Sequence, residues 1–208
     1  TQWLGSDETG GPGNPTTEVV RRIESGMLDL RLNQYGLNNS DSGISGGQVR
    51  LAVHNPAPIT TMQAAVTVLS AEALACPTNA GITVRSRAQI AGTFFNDGSS
   101  TGAGDRTGDM VAGIEQSQEA APLGDVLRAV LARCANSSCS SFQFPAVQNF
   151  ITTWAVNEPQ TLTLTWDAAN HQFIFSVKPK NGSAETITTP YTQSDSTPPV
   201  SGVRILEV

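Results

Sequence analysis

The amino-acid sequence predicts an all-β protein in which two antiparallel sheets pack face to face as a jelly-roll sandwich. Segments in which apolar and polar residues alternate recur along the chain, as in half-buried strands. Turn-forming Gly, Pro, Asn and Ser residues separate these segments at fairly regular intervals. Only 14% of the residues are charged, against about a quarter in ordinary soluble domains. Uncharged polar residues replace them, which is typical of β proteins outside the cell.

The chain of 208 residues is expected to form one domain, because β-sandwiches of this length commonly fold as a single unit. Residues 1–21 are expected to be an irregular N-terminal arm, since residues 9–15 consist of Gly, Pro, Thr and Asn. The sandwich is expected to span residues 22–208. No repeat of about 20 to 50 residues is present.

The first clear strand lies in residues 26–32, where leucines alternate with Asp29 and Arg31. Residues 49–53 repeat this alternation. Residues 63–70 are a continuous run of apolar residues and Thr, which is typical of a strand buried on both faces.

Residues 82–96 form the longest alternating stretch. Its apolar positions are Ile82, Val84, Ala88, Ile90 and Phe94. Its polar positions include Arg85, Arg87, Gln89 and Thr93. Gly92 interrupts the pattern and indicates a bend or bulge. A Gly-, Ser- and Asp-rich loop over residues 97–108 follows, and a further strand is expected over residues 109–116.

Residues 126–134 are ambiguous, because the spacing of their apolar residues also fits a helix opened by Pro122. We favour a strand, since the surrounding segments are β. The strongest hairpin covers residues 161–178, and residues 202–208 form the last strand. Six side chains are expected to be buried between or against the sheets: Leu28, Leu30, Leu162, Leu164, Phe173 and Phe175.

The three cysteines are Cys76, Cys134 and Cys139. Cys134 and Cys139 flank a short polar segment, which favours a local disulfide across a turn. A zinc site is the alternative, but His54 and His171 are the only histidines. A disulfide indicates an oxidising compartment, so we expect an extracytoplasmic protein that is secreted, periplasmic or on the cell surface. Cys76 is then left over.

Three segments resemble the concanavalin A-like lectin/glucanase superfamily, which includes laminin-G-like and pentraxin-like domains. They are IESGMLDL (residues 23–30), RAQIAGTFFN (residues 87–96), and the hairpin formed by LTLTWD and FIFSV (residues 162–167 and 173–177). The resemblance covers residues 22–208 and implies a jelly roll of two curved sheets in a bacterial-type secreted domain. Members bind glycans or proteins, hydrolyse polysaccharides or act as spacers, and the fold alone does not choose among these.

Glycoside hydrolysis requires two carboxyl groups that flank the scissile bond, and the resemblance implies that they alternate along one strand. Glu115 and Glu119 are four residues apart, but only Glu115 lies in a predicted strand, and Glu185 is solitary. Glu115 and Glu185 are therefore expected to be solvent-exposed. With two histidines in the chain, a serine triad is also not expected. The chain is not expected to be an enzyme.

Asp97, Asp105 and Asp109 are possible oxygen ligands in one Gly-rich region, and related folds often bind calcium near such rims. Their spacing is not that of a calcium-binding loop, and Asp is an ordinary turn residue. No metal or other cofactor is predicted, and calcium at these three residues stays an open alternative.

Aromatic residues that could stack on sugar rings are few, at 6% of the chain. Strand parity places four of them in the core: Trp154, Trp166, Phe173 and Phe175. The three in or near loops, Trp3, Tyr35 and Tyr191, are freer to contact a ligand.

Burial of the apolar positions in residues 82–96 places Arg85, Arg87, Gln89 and Thr93 on the outer face of the sheet. Arg can bind hydroxyls or carboxylates through its planar fork, so these four residues are the candidate ligand-binding site. The expected partner is an acidic glycan or an acidic protein surface.

The predicted function is a non-catalytic binding or adhesion module, carbohydrate- or protein-binding, within a larger secreted or surface protein. A structural spacer domain and a glycoside hydrolase with an unrecognised carboxylate pair are the alternatives. The net charge of −6 argues against nucleic acid as a partner. No apolar stretch approaches the length of about 18 residues that a transmembrane helix needs. The sequence does not indicate an oligomeric state.

Overall fold

The computed structural model describes residues 3–8, 17–34, 48–53, 56–73, 85–119 and 124–208. Regular structure in these ranges is strand, apart from a 3-10 turn at Ala168–Asn170. The strands are β1 (Trp3–Glu8), β2 (Thr17–Glu24), β3 (Met27–Gln34), β4 (Gln48–Val53), β5 (Thr61–Val66), β6 (Arg85–Asn96), β7 (Asp109–Glu119), β8 (Gly124–Cys134), β9 (Phe142–Asn149), β10 (Gln160–Asp167), β11 (Gln172–Pro179), β12 (Glu185–Pro190) and β13 (Arg204–Glu207).

The strands form a seven-stranded sheet in the order β1-β4-β13-β6-β7-β8-β9 and a four-stranded sheet in the order β12-β11-β10-β5. A separate hairpin pairs β2 with β3. Every pairing between these strands is antiparallel. The predicted all-β sandwich of two antiparallel sheets is confirmed.

The hydrophobic core lies between the two large sheets and combines side chains of β6, β7 and β8 with those of β10 and β11. Leu162, Leu164, Phe173 and Phe175 are fully buried there, as the alternation of the hairpin predicted. The prediction for Leu28 and Leu30 was wrong. They lie in β3 of the separate hairpin and are only half-buried, because the core-facing strands of both large sheets come from other segments.

Residues 63–70 were expected to form a strand buried on both faces, and this was wrong. The strand is β5, in which exposed positions alternate with buried or partly buried ones, because only one face of the four-stranded sheet packs on the core. Residues 126–134 lie in strand β8, which decides between the two interpretations of that segment. Strands β1 and β2 fall wholly or partly within residues 1–21, and the division of the chain into an arm and a sandwich stays a prediction.

The irregularity expected at Gly92 is present one residue further along. The register between β6 and β7 shifts between Thr93 and Phe95. Gly92 itself is required for close packing, since a Cβ atom there would lie 2.7 Å from Cδ of Arg204. The bulge turns Phe94 and Phe95 towards the core, where both are buried.

Candidate functional site

A row of polar side chains crosses the outer face of the seven-stranded sheet. Paired residues of neighbouring strands share a face, and Ile90 and Ile114, which are paired in β6 and β7, belong to the core. Residues at the next position therefore point away from the core. The partners in this row, from β4 to β9, are Arg50, Glu207, Gln89, Glu115, Arg128 and Asn149.

Glu115 is the centre of this row. Its carboxylate accepts hydrogen bonds from Nε of Arg128 at 2.8 Å and from Nη1 of Arg87 at 3.3 Å. Nη1 of Arg85 lies 3.7 Å away. Only 6% of Glu115 is exposed, because the guanidinium groups cover it. Three arginines thus compensate the charge of one buried carboxylate.

Two further carboxylates extend the network on either side. Glu207, which is 3% exposed, accepts hydrogen bonds from Nη2 of Arg87 at 2.9 Å and Nε2 of Gln89 at 2.6 Å. Glu119 lies 3.1 Å from Nη1 of Arg128. Arg87 and Arg128 therefore each bridge two carboxylates, and the groups form one continuous ion-paired chain across β13, β6, β7 and β8.

The charges in this network act on each other. Burial lowers the pKa of Arg85, the neighbouring Glu115 opposes that shift, and the positive charges of Arg87 and Arg128 add to it. Ser117, between Glu115 and Glu119 on the same face of β7, is buried, and its Oγ has no hydrogen-bond partner. The network is therefore fixed by its own ion pairs, with one unpaired hydroxyl group beneath it.

The structure brings together three of the four predicted ligand-binding residues, Arg85, Arg87 and Gln89. Thr93 is buried. Its N–H donates a hydrogen bond to O of Val203, in the segment before β13. As ligand contacts, all four residues stay predictions.

The sequence reasoning missed the carboxylates that organise this face. Glu115 was expected to be solvent-exposed, and this was wrong, because arginines of β6 and β8 cover it. Glu119 was placed beyond the strand, whereas β7 extends through it. Residues four apart on one strand share a face. Predicting β7 at its full length would therefore have placed Glu115 and Glu119 on the same face.

Glu185 has a different environment. Its carboxylate accepts hydrogen bonds from the N–H groups of Ile151 at 2.8 Å and Thr152 at 2.7 Å. Burial alone raises the pKa of Glu185, but these hydrogen bonds outweigh burial and lower it. Glu185 is partly exposed, so the expectation of a solvent-exposed carboxylate holds in part. It fixes the chain that follows β9.

Two exposed aromatic rings lie near one end of the same sheet face. Phe142 and Phe144 of β9 are 42% and 60% exposed, and their ring centres are 6.2 Å apart. Arg133 of β8 is paired with Met110, which belongs to the core. Cys134 is the next residue of β8, so it points to the opposite face, and Phe142 is paired with Cys134. Phe142 therefore faces away from the core, on the same side as the network. The sequence reasoning did not single out either ring.

The three aspartates considered as calcium ligands are not brought together. Asp97 accepts hydrogen bonds from Nε of Arg133, and Asp105 from Thr101 and Thr107. The carboxylate of Asp109 is held by side-chain and backbone donors of Asn96, Arg106 and Val200. In the described part of the chain, no three acidic, His or Cys side chains are grouped so that they could hold a metal ion.

Cys134 and Cys139 form a disulfide, with their Cα atoms 4.8 Å apart. The disulfide interpretation is confirmed over the zinc site. The turn that it closes contacts the loop of residues 97–108, since Arg106 donates to O of Ser137 and Gly108 to O of Cys134. Cys76 lies outside the described residues.

Tyr191 lies beside a shallow depression of about 490 Å³ together with His171 and residues 192–194. The expectation that its ring is free to contact a ligand was wrong. Tyr191 is buried, accepts a hydrogen bond from Nε1 of Trp166 and donates one to Asp195. Burial and Asp195 raise its pKa far above the ordinary value. The four aromatic residues that were predicted in the core lie there: Trp154, Phe173 and Phe175 are buried, and Trp166 packs against the core.

Tyr35 and Trp3 are the other two aromatic residues that were expected to be free to contact a ligand. Tyr35 lies outside the described residues, and Trp3 is described only as part of the backbone of β1. In the described ranges, no helix is long and apolar enough to cross a membrane.

The sequence matches no protein-family profile, and no characterised protein matches it in sequence. Among solved structures, the chain is similar to the winged bean acidic lectin complexed with methyl-α-D-galactose, at 9% identity and a TM-score of 0.38, over 99% of this chain and 89% of the lectin. It is also similar to peanut lectin with a 9mer peptide, at 10% identity and a TM-score of 0.38, over 100% and 90%. Lectin II from Ulex europaeus, at 9% identity and a TM-score of 0.38 over 99% and 88%, is a third.

These neighbours are legume lectins with a concanavalin A-like jelly-roll fold. The galactoside and the peptide named above are ligands of those lectins.

Proposed function

We propose that this chain is a non-catalytic carbohydrate-binding module, and that its ligand contacts the outer face of the seven-stranded sheet. The ion-paired row centred on Glu115 supports this best. Its planar carboxylate, guanidinium and amide groups are held in place by one another before any ligand arrives. Preorganised polar groups lose little conformational entropy on binding, and such groups suit a ligand that carries many hydroxyls.

The expected ligand is an uncharged glycan. The sequence suggested an acidic partner because Arg85 and Arg87 share a face, but in the structure both guanidinium groups lie beside carboxylates. An acidic ligand would have to compete with Glu115 and Glu207 for these arginines. A neutral hydroxyl-bearing ligand can use the remaining hydrogen-bonding capacity of the same groups without breaking an ion pair.

The Cys134–Cys139 disulfide supports an extracytoplasmic location for this module, because such bonds persist in oxidising compartments. A site on an exposed sheet face also suits a ligand outside the cell. Neighbouring domains of a larger secreted or surface protein remain part of the proposal.

Glycoside hydrolysis is the second candidate function, and one observation favours it. Glu115 and Glu119 lie on the same face of β7, and Arg128 contacts both carboxylates. A hydrolase needs two carboxyl groups that reach the scissile bond, whereas Glu115 and Glu119 are 6% and 7% exposed and are both engaged by Arg128. Binding without hydrolysis is therefore the better-supported function.

The test is a binding panel of soluble β-glucan, xylan and galactomannan, measured by calorimetry and affinity electrophoresis. We expect at least one to bind, and the variant Arg128→Met to weaken that binding while circular dichroism shows a folded protein. Arg22→Met, in the exposed hairpin β2–β3, is the matched control and should bind normally.

Two other outcomes would favour the alternative functions. A panel without binding would favour the spacer alternative. Release of reducing ends that Glu115→Gln abolishes would establish the hydrolase instead.

A further inference from the structure

The edge strand β9 carries an exposed apolar strip made of Phe142, Phe144 and Val147. Val147 is 48% exposed, and it is paired with Val130 of β8. Adjacent exposed aromatic and aliphatic side chains are uncommon on a protein surface unless they contact a partner. We therefore expect this strip to contact a ligand or partner.

The edge of β9 is poorly suited to pairing with another strand. Pro145 lies within it and has no N–H to donate. The register with β8 also shifts between Leu131 and Arg133, as at a β-bulge. Prolines and bulges protect sheet edges from strand addition. An occupant is therefore expected to contact the outward-facing rings and not the backbone of the edge.

The strip continues the polar row described above. Asn149 of β9 is paired with Arg128, and Val147 lies on the same face two residues earlier. Phe144 follows at roughly 16 Å from Asn149, at the usual rise per residue of a strand. Polar and apolar contacts thus form one surface that is longer than a single sugar unit.

We infer that this face binds an extended, uncharged polysaccharide chain, with Phe142 and Phe144 as its stacking platform. The inference rests on the proposed function and adds the substrate class. The flat side of a pyranose ring presents C–H groups that pack on aromatic rings, while its hydroxyls reach polar groups at the edge. The network supplies the hydrogen bonds and the two rings supply the stacking.

The geometry of the rings favours a single twisted chain over a flat crystalline surface. The two ring planes are inclined by 38° with centres 6.2 Å apart, so they cannot both lie flat on one plane. Neighbouring units of a twisted chain can each contact one ring. We expect soluble polymer to bind more tightly than its insoluble crystalline form.

The experiment compares the wild-type protein with F142A/F144A, using soluble β-glucan, xylan and galactomannan and the corresponding disaccharides. We expect the double variant to lose about tenfold or more in affinity for the polymer, as removal of two aromatic contacts allows. Its affinity for the disaccharide should be unchanged, because a short ligand can remain at the network. The matched controls are F142L/F144L, which keeps apolar bulk without rings, and Ile151→Ala at another exposed apolar position.

The outcomes separate this inference from the proposed function. Polymer binding that requires Arg128 but is unchanged in F142A/F144A would overturn the stacking platform alone. Absence of binding to every polymer would overturn the proposed function and the platform with it. A wild-type dimer that F142A/F144A converts to a monomer, measured by sedimentation, would assign the strip to self-association instead.

Discussion

The guanidinium carbon of Arg204 lies 3.7 Å from the centre of the Phe94 ring. Arg204 is 1% exposed and donates hydrogen bonds to the backbone carbonyls of Ile59, Thr93 and Val203. Burial lowers its pKa to about 10. A buried cation is stabilised here by carbonyl dipoles and an aromatic face, and it connects β13 and β6 to the segment before β5.

Replacing Arg204 with Met should therefore lower the free energy of unfolding by roughly 2–4 kcal/mol, because three carbonyls lose a charged donor. Arg204→Lys should also destabilise the protein, since an ammonium group lacks the planar fork. Urea denaturation followed by tryptophan fluorescence measures both. If Arg204→Met unfolds at the same midpoint as wild type, the carbonyl contacts contribute nothing to stability.

The disulfide gives a second prediction. Bonding Cys134 to Cys139 closes a short loop, so the variant C134S/C139S should lose about 2 kcal/mol of stability by the loop-entropy relation. Without reductant, a thiol reagent should modify at most Cys76. Mass spectrometry of the labelled protein checks this, and labelling of all three cysteines would contradict both the disulfide and the oxidising compartment.

The hairpin of β10 and β11 shows what alternation in the sequence can predict. Leu162, Leu164, Phe173 and Phe175 were predicted as core residues because period-two alternation directly determines which face of a strand a side chain occupies. Strand β9 was missed, because its Phe, Gln and Pro residues leave most of the strand exposed at a sheet edge and produce no buried face to detect.

The network could not be predicted for a different physical reason. Its contacts depend on the register between strands that are distant in the sequence. Arg87 and Glu207, for example, are 120 residues apart and meet only because β13 inserts between β4 and β6. Alternation indicated which side of β6 carries Arg85 and Arg87, but not the carboxylates that face them.

Asp105 should make the loop of residues 97–108 sensitive to acid. Hydrogen bonds from the side chain and backbone of Thr107 and Thr101 hold the pKa of Asp105 far below its unfolded value of 3.8. A depressed folded pKa gives stability that is present above the unfolded value and is lost as the pH falls towards the folded one. Asp105→Asn should therefore lower Tm near neutral pH, and the difference from wild type should shrink below about pH 4.

Thermal unfolding followed by circular dichroism, from about pH 6 down to about pH 2, measures this difference. Asp125→Asn, at an exposed position of β8, is the matched control and should follow wild type throughout. A difference between Asp105→Asn and wild type that stays constant with pH would show that the carboxylate charge is not what stabilises the loop.

Arg87 should be a sensitive position of the outer-face network, because it bridges two buried carboxylates. In Arg87→Met, Glu207 keeps its hydrogen bond from Gln89, and Glu115 keeps its contacts with Arg85 and Arg128. Breaking a buried ion pair by removing one partner typically costs about 3–5 kcal/mol. We expect roughly 2–4 kcal/mol here, since part of the Arg87 side chain is exposed and Glu115 retains two arginines.

The double variant Arg87→Met with Glu207→Gln tests the cause of that loss. If the unpaired charge of Glu207 is responsible, the double variant should recover part of the stability that Arg87→Met loses, giving a clear coupling energy in a double-mutant cycle. The exposed pair of Arg22 and Asp29 in the hairpin β2–β3 is the matched control, and its cycle should give a much smaller coupling energy, because solvent screens exposed ion pairs. Equal coupling in both cycles would mean that the Arg87 network behaves as an ordinary surface ion pair, which would also weaken the case for a preorganised binding face.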